Sequence, residues 1–139
     1  MAARDFENPV DDGANNTYAL DITATDADGN GATSDAVKCI DYAISEGVDV
    51  LSTSWGSGRY SATMLNIIRA ANDAGILFIA TAGNGSSNTD ISANFPSNYE
   101  VENVISVAAI DRNGNLANFS NYGQTTVDIG APGVDILSS

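Results

Sequence analysis

The chain has 139 residues, 43% of them apolar, which suits one folded domain with a buried core and is too apolar for a disordered chain. Its 18 acidic and 5 basic residues leave a formal charge of −13; such a field argues against nucleic acid and membrane as partners and favours cations, calcium above all, and basic ligands, although acidity also serves solubility alone. It contains no histidine and a single cysteine, Cys39, so a Cys–His pair and an intrachain disulfide are both excluded.

The start, Met1-Ala2-Ala3-Arg4-Asp5, lacks the apolar core of a signal peptide, and no stretch is long enough to span a membrane. Residues 1–16 form a polar N-terminal loop in which Asp5, Glu7, Asp11 and Asp12 are solvated charges, and 17–139 form one α/β core with no repeat or linker. Thr17–Thr25 has the β-branched and aromatic content of a strand, and the cluster Asp26-Ala27-Asp28-Gly29-Asn30-Gly31 is a turn. Asp26, Asp28 and Asn30 have the spacing that opens a calcium loop; Val37 stands where the helix–loop–helix motif needs a glutamate, so a bare turn competes with a metal site. Ser34 is placed to cap a helix that runs to Glu46, with Val37, Ile40 and Ile44 at helical spacing and Gly47 as its stop. Cys39 lies in that helix, where an inert thiol is expected, and so does Lys38, the only lysine.

Val48–Ser54 follows as a strand. Ser61 caps a second helix carrying Met64, Leu65, Ile67 and Ile68, and Gly75 ends it. Ile76–Ala82 is a continuous apolar run, as in a strand covered on both faces. A Gly/Ser/Asn loop occupies 83–94, Asn103–Ile110 is a further strand, Asp111-Arg112-Asn113-Gly114 a turn, and a short strand pair is expected near 126–137. Sequons stand at Asn15, Asn84 and Asn118. The alternation of strand and helix predicts an α/β fold, a mostly parallel sheet with flanking helices. Ligands of such sheets bind beyond the carboxyl ends of the strands, where the runs 54–58 and 82–85 lie.

Those two runs carry the chemistry. After the strand Ile79-Ala80-Thr81-Ala82, Gly83 is followed by Asn84 and Gly85. A side-chain amide aimed at a substrate carbonyl stabilises charge that develops only in the transition state; the alternative is an asparagine that simply turns the chain. Ser54-Trp55-Gly56 offers main-chain groups to an extended peptide, with Gly56 allowing close approach and Trp55 lining an apolar subsite. The alternatives are a core tryptophan at a strand end, or an edge that pairs with another copy.

Taken in order, these runs resemble the substrate-binding half of a subtilisin-like serine peptidase over about residues 18–139. Ser54-Trp55-Gly56 is similar to the family's S-x-G substrate strand, and Ala80-Thr81-Ala82-Gly83-Asn84 to its second wall and oxyanion asparagine. Phe95-Pro96, Phe119-Ser120-Asn121-Tyr122-Gly123 and Ala131-Pro132-Gly133 match its F-P, F-S-x-x-G and A-P-G elements. The resemblance implies a partial subtilisin-like fold, a single truncated domain over 1–139, and descent from peptide-bond cleavage through an acyl-enzyme. It implies that Ser54, Trp55, Gly56, Ala82 and Gly83 bind substrate, an extended peptide or protein, that Asn84 is an inherited oxyanion donor, and that the family's place is outside the cell. The family's catalysis needs an aspartate after the first strand, a histidine in H-G-T-H and a serine in G-T-S-M-A, and none of these motifs occurs. The chain thus reads as truncated at both ends and shortened where the histidine belongs. A serine hydroxyl is a poor nucleophile until a base takes its proton. Three functions follow: a degenerate or partial peptidase domain without classical proteolysis, a hydrolase with an unconventional nucleophile, or a peptide- or calcium-binding module or half of an assembly completed by another chain. Loss of family strands and a helix should bare apolar sheet surface, which predicts a homo-oligomer, a complementing chain or a rearranged sheet.

Overall fold

The computed structural model describes residues 32–136. The polar loop 1–16, the expected strand Thr17–Thr25 and the candidate calcium ligands Asp26, Asp28 and Asn30 lie outside the described residues. The described elements are α1 (Thr33–Ser45), β1 (Val50–Thr53), α2 (Ala62–Asp73), β2 (Leu77–Thr81), β3 (Val104–Ile110) and β4 (Ile129–Pro132).

Helix α1 is capped two residues earlier than expected. The Ala32 carbonyl already accepts from the Asp35 and Ala36 N–H groups, so Ala32 is the N-cap, without a side-chain bond, and Ser34 lies inside the first turn. Ser61 does cap α2, its Oγ accepting from Met64 N at 3.2 Å. The apolar spacing places Ile40 and Ala43 of α1, and Met64, Ile68 and Ala71 of α2, in the core.

All four strands are parallel, in the order β1-β2-β3-β4. The register aligns Leu51 with Phe78 and Phe78 with Val104, so these three share one face, and that face packs on the helices with Ile40, Met64, Ile68 and Ala71. Burying Phe78 completely contributes about 1.5–3 kcal/mol. The same register puts Val50, Leu77, Ile79, Ile105, Val107 and Ile129 on the opposite face. No helix of the described residues packs there, and Val50 and Ile129 are 52% and 51% exposed. The run Ile76–Ala82 is therefore covered on one face among the described residues, not on both.

Where a strand pair is expected near 126–137, the described residues, which end at 136, make one strand. Asp128 N bonds to Ser106 O, and 129–132 continue in step with 107–110 without reversing direction. No helix among the described residues is long and apolar enough to cross a membrane.

Candidate peptide-binding site

Register places the two expected walls side by side. Thr53 is aligned with Ala80, so the chain leaves the carboxyl ends of β1 and β2 as neighbours, through Ser54–Gly56 on one side and Ala82–Asn84 on the other.

The first wall is open. Ser54, Trp55 and Gly56 are exposed, Trp55 at 41%, which removes it from the core. Their main-chain groups make no hydrogen bond among the described residues. Immediately beyond, Ser57 and Phe95 exchange both main-chain bonds, Ser57 N to Phe95 O at 2.8 Å and Phe95 N to Ser57 O at 2.7 Å. Among the described residues the segment is thus anchored at its far end and unpaired along its length, as a strand-accepting edge must be.

The second wall is closed. Ala82 is buried; its N–H donates to Val107 O at 2.8 Å and its carbonyl accepts from Asn121 Nδ2 at 2.7 Å. Gly83 N donates to Thr81 Oγ1, and Gly83 O accepts from Asn121 N at 2.8 Å. Its φ of +105° and the 2.5 Å that would separate a Cβ from Asn121 Nδ2 both require glycine. Asn84 follows, exposed, with no hydrogen bond to its side chain among the described residues.

Two further asparagines hold this arrangement. Asn94 lies between the walls: a Cβ at Gly56 would stand 2.6 Å from its Nδ2, one at Gly83 3.2 Å, and Nδ2 reaches Thr81 O at 3.4 Å. Asn121, 7% exposed, supports the second wall from behind; besides Ala82 and Gly83 it accepts at Oδ1 from Gly85 N (2.9 Å) and Ser87 N (3.0 Å). Farther along the same loop, the Asp90 carboxylate accepts from the hydroxyls of Thr126 and Thr125 and from the N–H groups of Gln124, Thr125 and Thr126. These donors, the Thr126 hydroxyl first, lower its pKa to about 2. Beside the first wall, Tyr60 packs edge-on against Phe95 and Tyr99, whose own rings are tilted 40° to each other. The Tyr99 hydroxyl donates to Ser61 O and accepts from Ser61 N, and burial raises its pKa.

Ser54, Trp55, Gly56, Ala82, Gly83 and Asn84 are therefore neighbours at one end of the sheet. Asp26, Asp28 and Asn30 fall outside the described residues, and among those described no group of three or more His, Cys, Asp or Glu side chains could hold a metal ion. Asn94, Asn121 and Asp90 escape sequence reasoning because all three lie in polar loops without periodicity. The F-S-x-x-G match points at the neighbourhood of Asn121 without giving its side chain a role.

Comparison with known proteins agrees with this geometry. The Subtilase family model matches residues 2–139. The chain is 42% identical over 126 residues to the thermophilic serine proteinase of Bacillus sp. strain AK1, covering 91% of this chain and 30% of that protein. It is 37% identical over 122 residues to Subtilisin BL of Lederbergia lenta, covering 88% and 42%. Among solved structures it matches the psychrophilic subtilisin-like protease Apa1 of Pseudoalteromonas sp. AS-11 with a TM-score of 0.67 at 34% identity, covering 79% of this chain and 24% of that one. The chain spans less than half the length of each of these relatives. With its two strand-end walls, its parallel sheet and these matches, the chain belongs to the subtilase family as part of a subtilisin-like peptidase domain.

Proposed function

We propose that this subtilase domain holds an extended peptide along Ser54–Gly56, with the Asn84 amide beside the bound carbonyl, and does not cleave it by the histidine-dependent route. The observation that carries this reading is the main-chain edge at Ser54–Gly56, unpaired among the described residues, next to Ala82–Asn84, in a chain without histidine. The edge supplies hydrogen bonds to a strand-like ligand, and the exposed Trp55 supplies apolar contact. Ala82 and Gly83, whose polar groups are already engaged, act as a wall and not as a pairing strand. Asn84 supplies a donor, but no neutral-pH base of the usual kind stands ready to activate a serine.

The test is titration of an isotope-labelled chain with an extended peptide, beside hydrolysis of a fluorogenic peptide and a p-nitrophenyl ester, each repeated with Asn84→Ala. Expected are chemical-shift changes centred on Ser54–Gly56 and Gly83–Gly85, and no turnover by either protein. Turnover that falls about 10²–10³-fold in the variant, the loss known for an oxyanion donor in a subtilisin, would replace this reading with a live hydrolase that uses an unconventional nucleophile. Peptide-induced shifts absent from both walls would remove the binding role.

A second reading has its own support: half of an assembly completed by another chain. The two helices among the described residues, α1 and α2, lie on one face of a parallel sheet, a class of sheet normally covered on both. Coexpression with the segments of a subtilase that carry its histidine and serine tests it; peptidase activity from the pair, and from neither alone, is the expected result.

A further inference from the structure

The residue after Asn84 is Gly85, and an exposed Asn-Gly pair is chemically fragile. Once solvent base removes the proton of the following amide, that nitrogen attacks the asparagine Cγ. Ammonia leaves, a five-membered imide forms between the two residues, and water opens it to aspartate or isoaspartate. Glycine permits this best because it has no side chain to obstruct ring closure. At Asn84 the outcome would be specific: an uncharged donor becomes a carboxylate, which repels the oxygen that the amide would stabilise.

The Gly85 nitrogen is not free. Its N–H donates to Asn121 Oδ1 at 2.9 Å, and the same oxygen accepts from Ser87 N at 3.0 Å. The other end of the carboxamide donates to Ala82 O at 2.7 Å, and Asn121 N donates to Gly83 O at 2.8 Å. One nearly buried side chain thus grips the loop on both sides of Asn84 without touching its amide. A hydrogen-bonded amide proton is harder to remove, and a nitrogen held toward Asn121 cannot turn to Asn84 Cγ.

We infer that Asn121 is a positioning residue of the Asn84 loop: it fixes the segment from Ala82 to Ser87 and, by holding the Gly85 N–H, keeps the Asn84 amide from cyclising. This extends the assignment of Asn84 as the amide of the site, and rests on that assignment for its functional consequence.

The chain carries its own controls. Asn113–Gly114 is a second exposed Asn-Gly pair, whose Gly114 N–H bonds to Asp111 O and makes no contact with Asn121. The experiment incubates wild type, Asn121→Ala and Asn121→Asp at mildly alkaline pH and follows deamidation at Asn84 and Asn113 by site-resolved mass spectrometry. In Asn121→Ala, Asn84 should deamidate about fivefold faster than in wild type, the size expected for one net hydrogen bond, while Asn113 keeps its rate. Asn121→Asp, which retains an oxygen acceptor for Gly85, should restore most of the protection. An Asn84 rate that is unchanged in Asn121→Ala, that rises in step with Asn113, or that rises as far in Asn121→Asp as in Asn121→Ala overturns the assignment. Peptide titration of the same proteins separates the two claims: a wild type that binds no peptide yet shows the expected deamidation pattern keeps Asn121 in its role and removes only the function given to Asn84.

Discussion

At Asp90 five donors from Gln124, Thr125 and Thr126 converge on a carboxylate that remains open to solvent. The bonds favour its ionised form and hold its pKa at about 2, against 3.8 for an ordinary aspartate. The sign of the pH effect follows. The folded chain keeps Asp90 ionised where the unfolded chain has begun to protonate it, so its contribution is fully present above about pH 4 and is lost as pH falls through about 2. Asp111, lowered by the side chain and N–H of Asn115, acts in the same direction. In Asp90→Asn, stability measured by denaturant between those two pH values should fall less steeply than in wild type. Gly123 seals the same knot: a Cβ there would collide with Thr126 Oγ1 and stand 2.7 Å from Asp90 Oδ1 and Thr89 Oγ1. Gly123→Ala should therefore cost about 1–3 kcal/mol in urea unfolding, the usual cost of overpacking. The sequence hides such residues because Asp90 meets partners 34 to 36 positions away, and no local pattern records that meeting. Asn121 is hidden in the same way, 39 residues from the Ala82 carbonyl that it holds.

The elements were more legible. Helix α2 is written in Ser61 and in the spacing of Met64 and Ile68, and the structure puts its cap and its buried face where those residues indicate. Its anchoring goes further than its own sequence, since the Tyr99 hydroxyl bonds both N and O of Ser61 from 38 residues away. Ser61→Ala should destabilise by about 1 kcal/mol through the lost cap. Tyr99→Phe should cost about 1–3 kcal/mol, because it leaves the N–H of half-buried Ser61 without its partner, while Ser61 O keeps its bond from Leu65 N. The double variant should cost less than the sum, since both changes loosen the same turn; urea unfolding of the three proteins measures the difference. At α1 the first turn begins at Thr33, and serine at 34 misleads because a capping residue type inside a helix looks the same in sequence as one at its start. Near 126–137 the expected strand pair gives way to the single strand β4 because the partner of a strand is chosen by the sheet, and Val107–Ile110 of β3 takes Ile129–Pro132 as one parallel neighbour. The walls of the site were legible because they sit where β1 and β2 must end; the asparagines that separate and brace them were not.

At the scale of the molecule the decisive asymmetry is the sheet itself. Its helix side buries Phe78 and Ala80 completely, while the other side presents Val50, Leu77, Ile79, Ile105, Val107 and Ile129 with no helix of the described residues against them. A contiguous apolar face of this kind marks an interaction surface or a tendency to associate. The net charge of −13 opposes association through mutual repulsion. Salt screens that repulsion and leaves the apolar attraction in place, so the two forces separate in one experiment. Sedimentation velocity should show self-association that strengthens as salt is raised, the opposite of what a charge-driven complex would do. Val50→Thr with Ile129→Thr keeps β-branched residues in both strands while adding a hydroxyl at two positions of the face. Because both side chains are about half exposed, the pair should return the chain to monomer with little change in its own unfolding. A wild type that stays monomeric at every salt concentration and melts cooperatively would mean that the face is covered within the chain, and then the same two substitutions should lower its stability instead of its association.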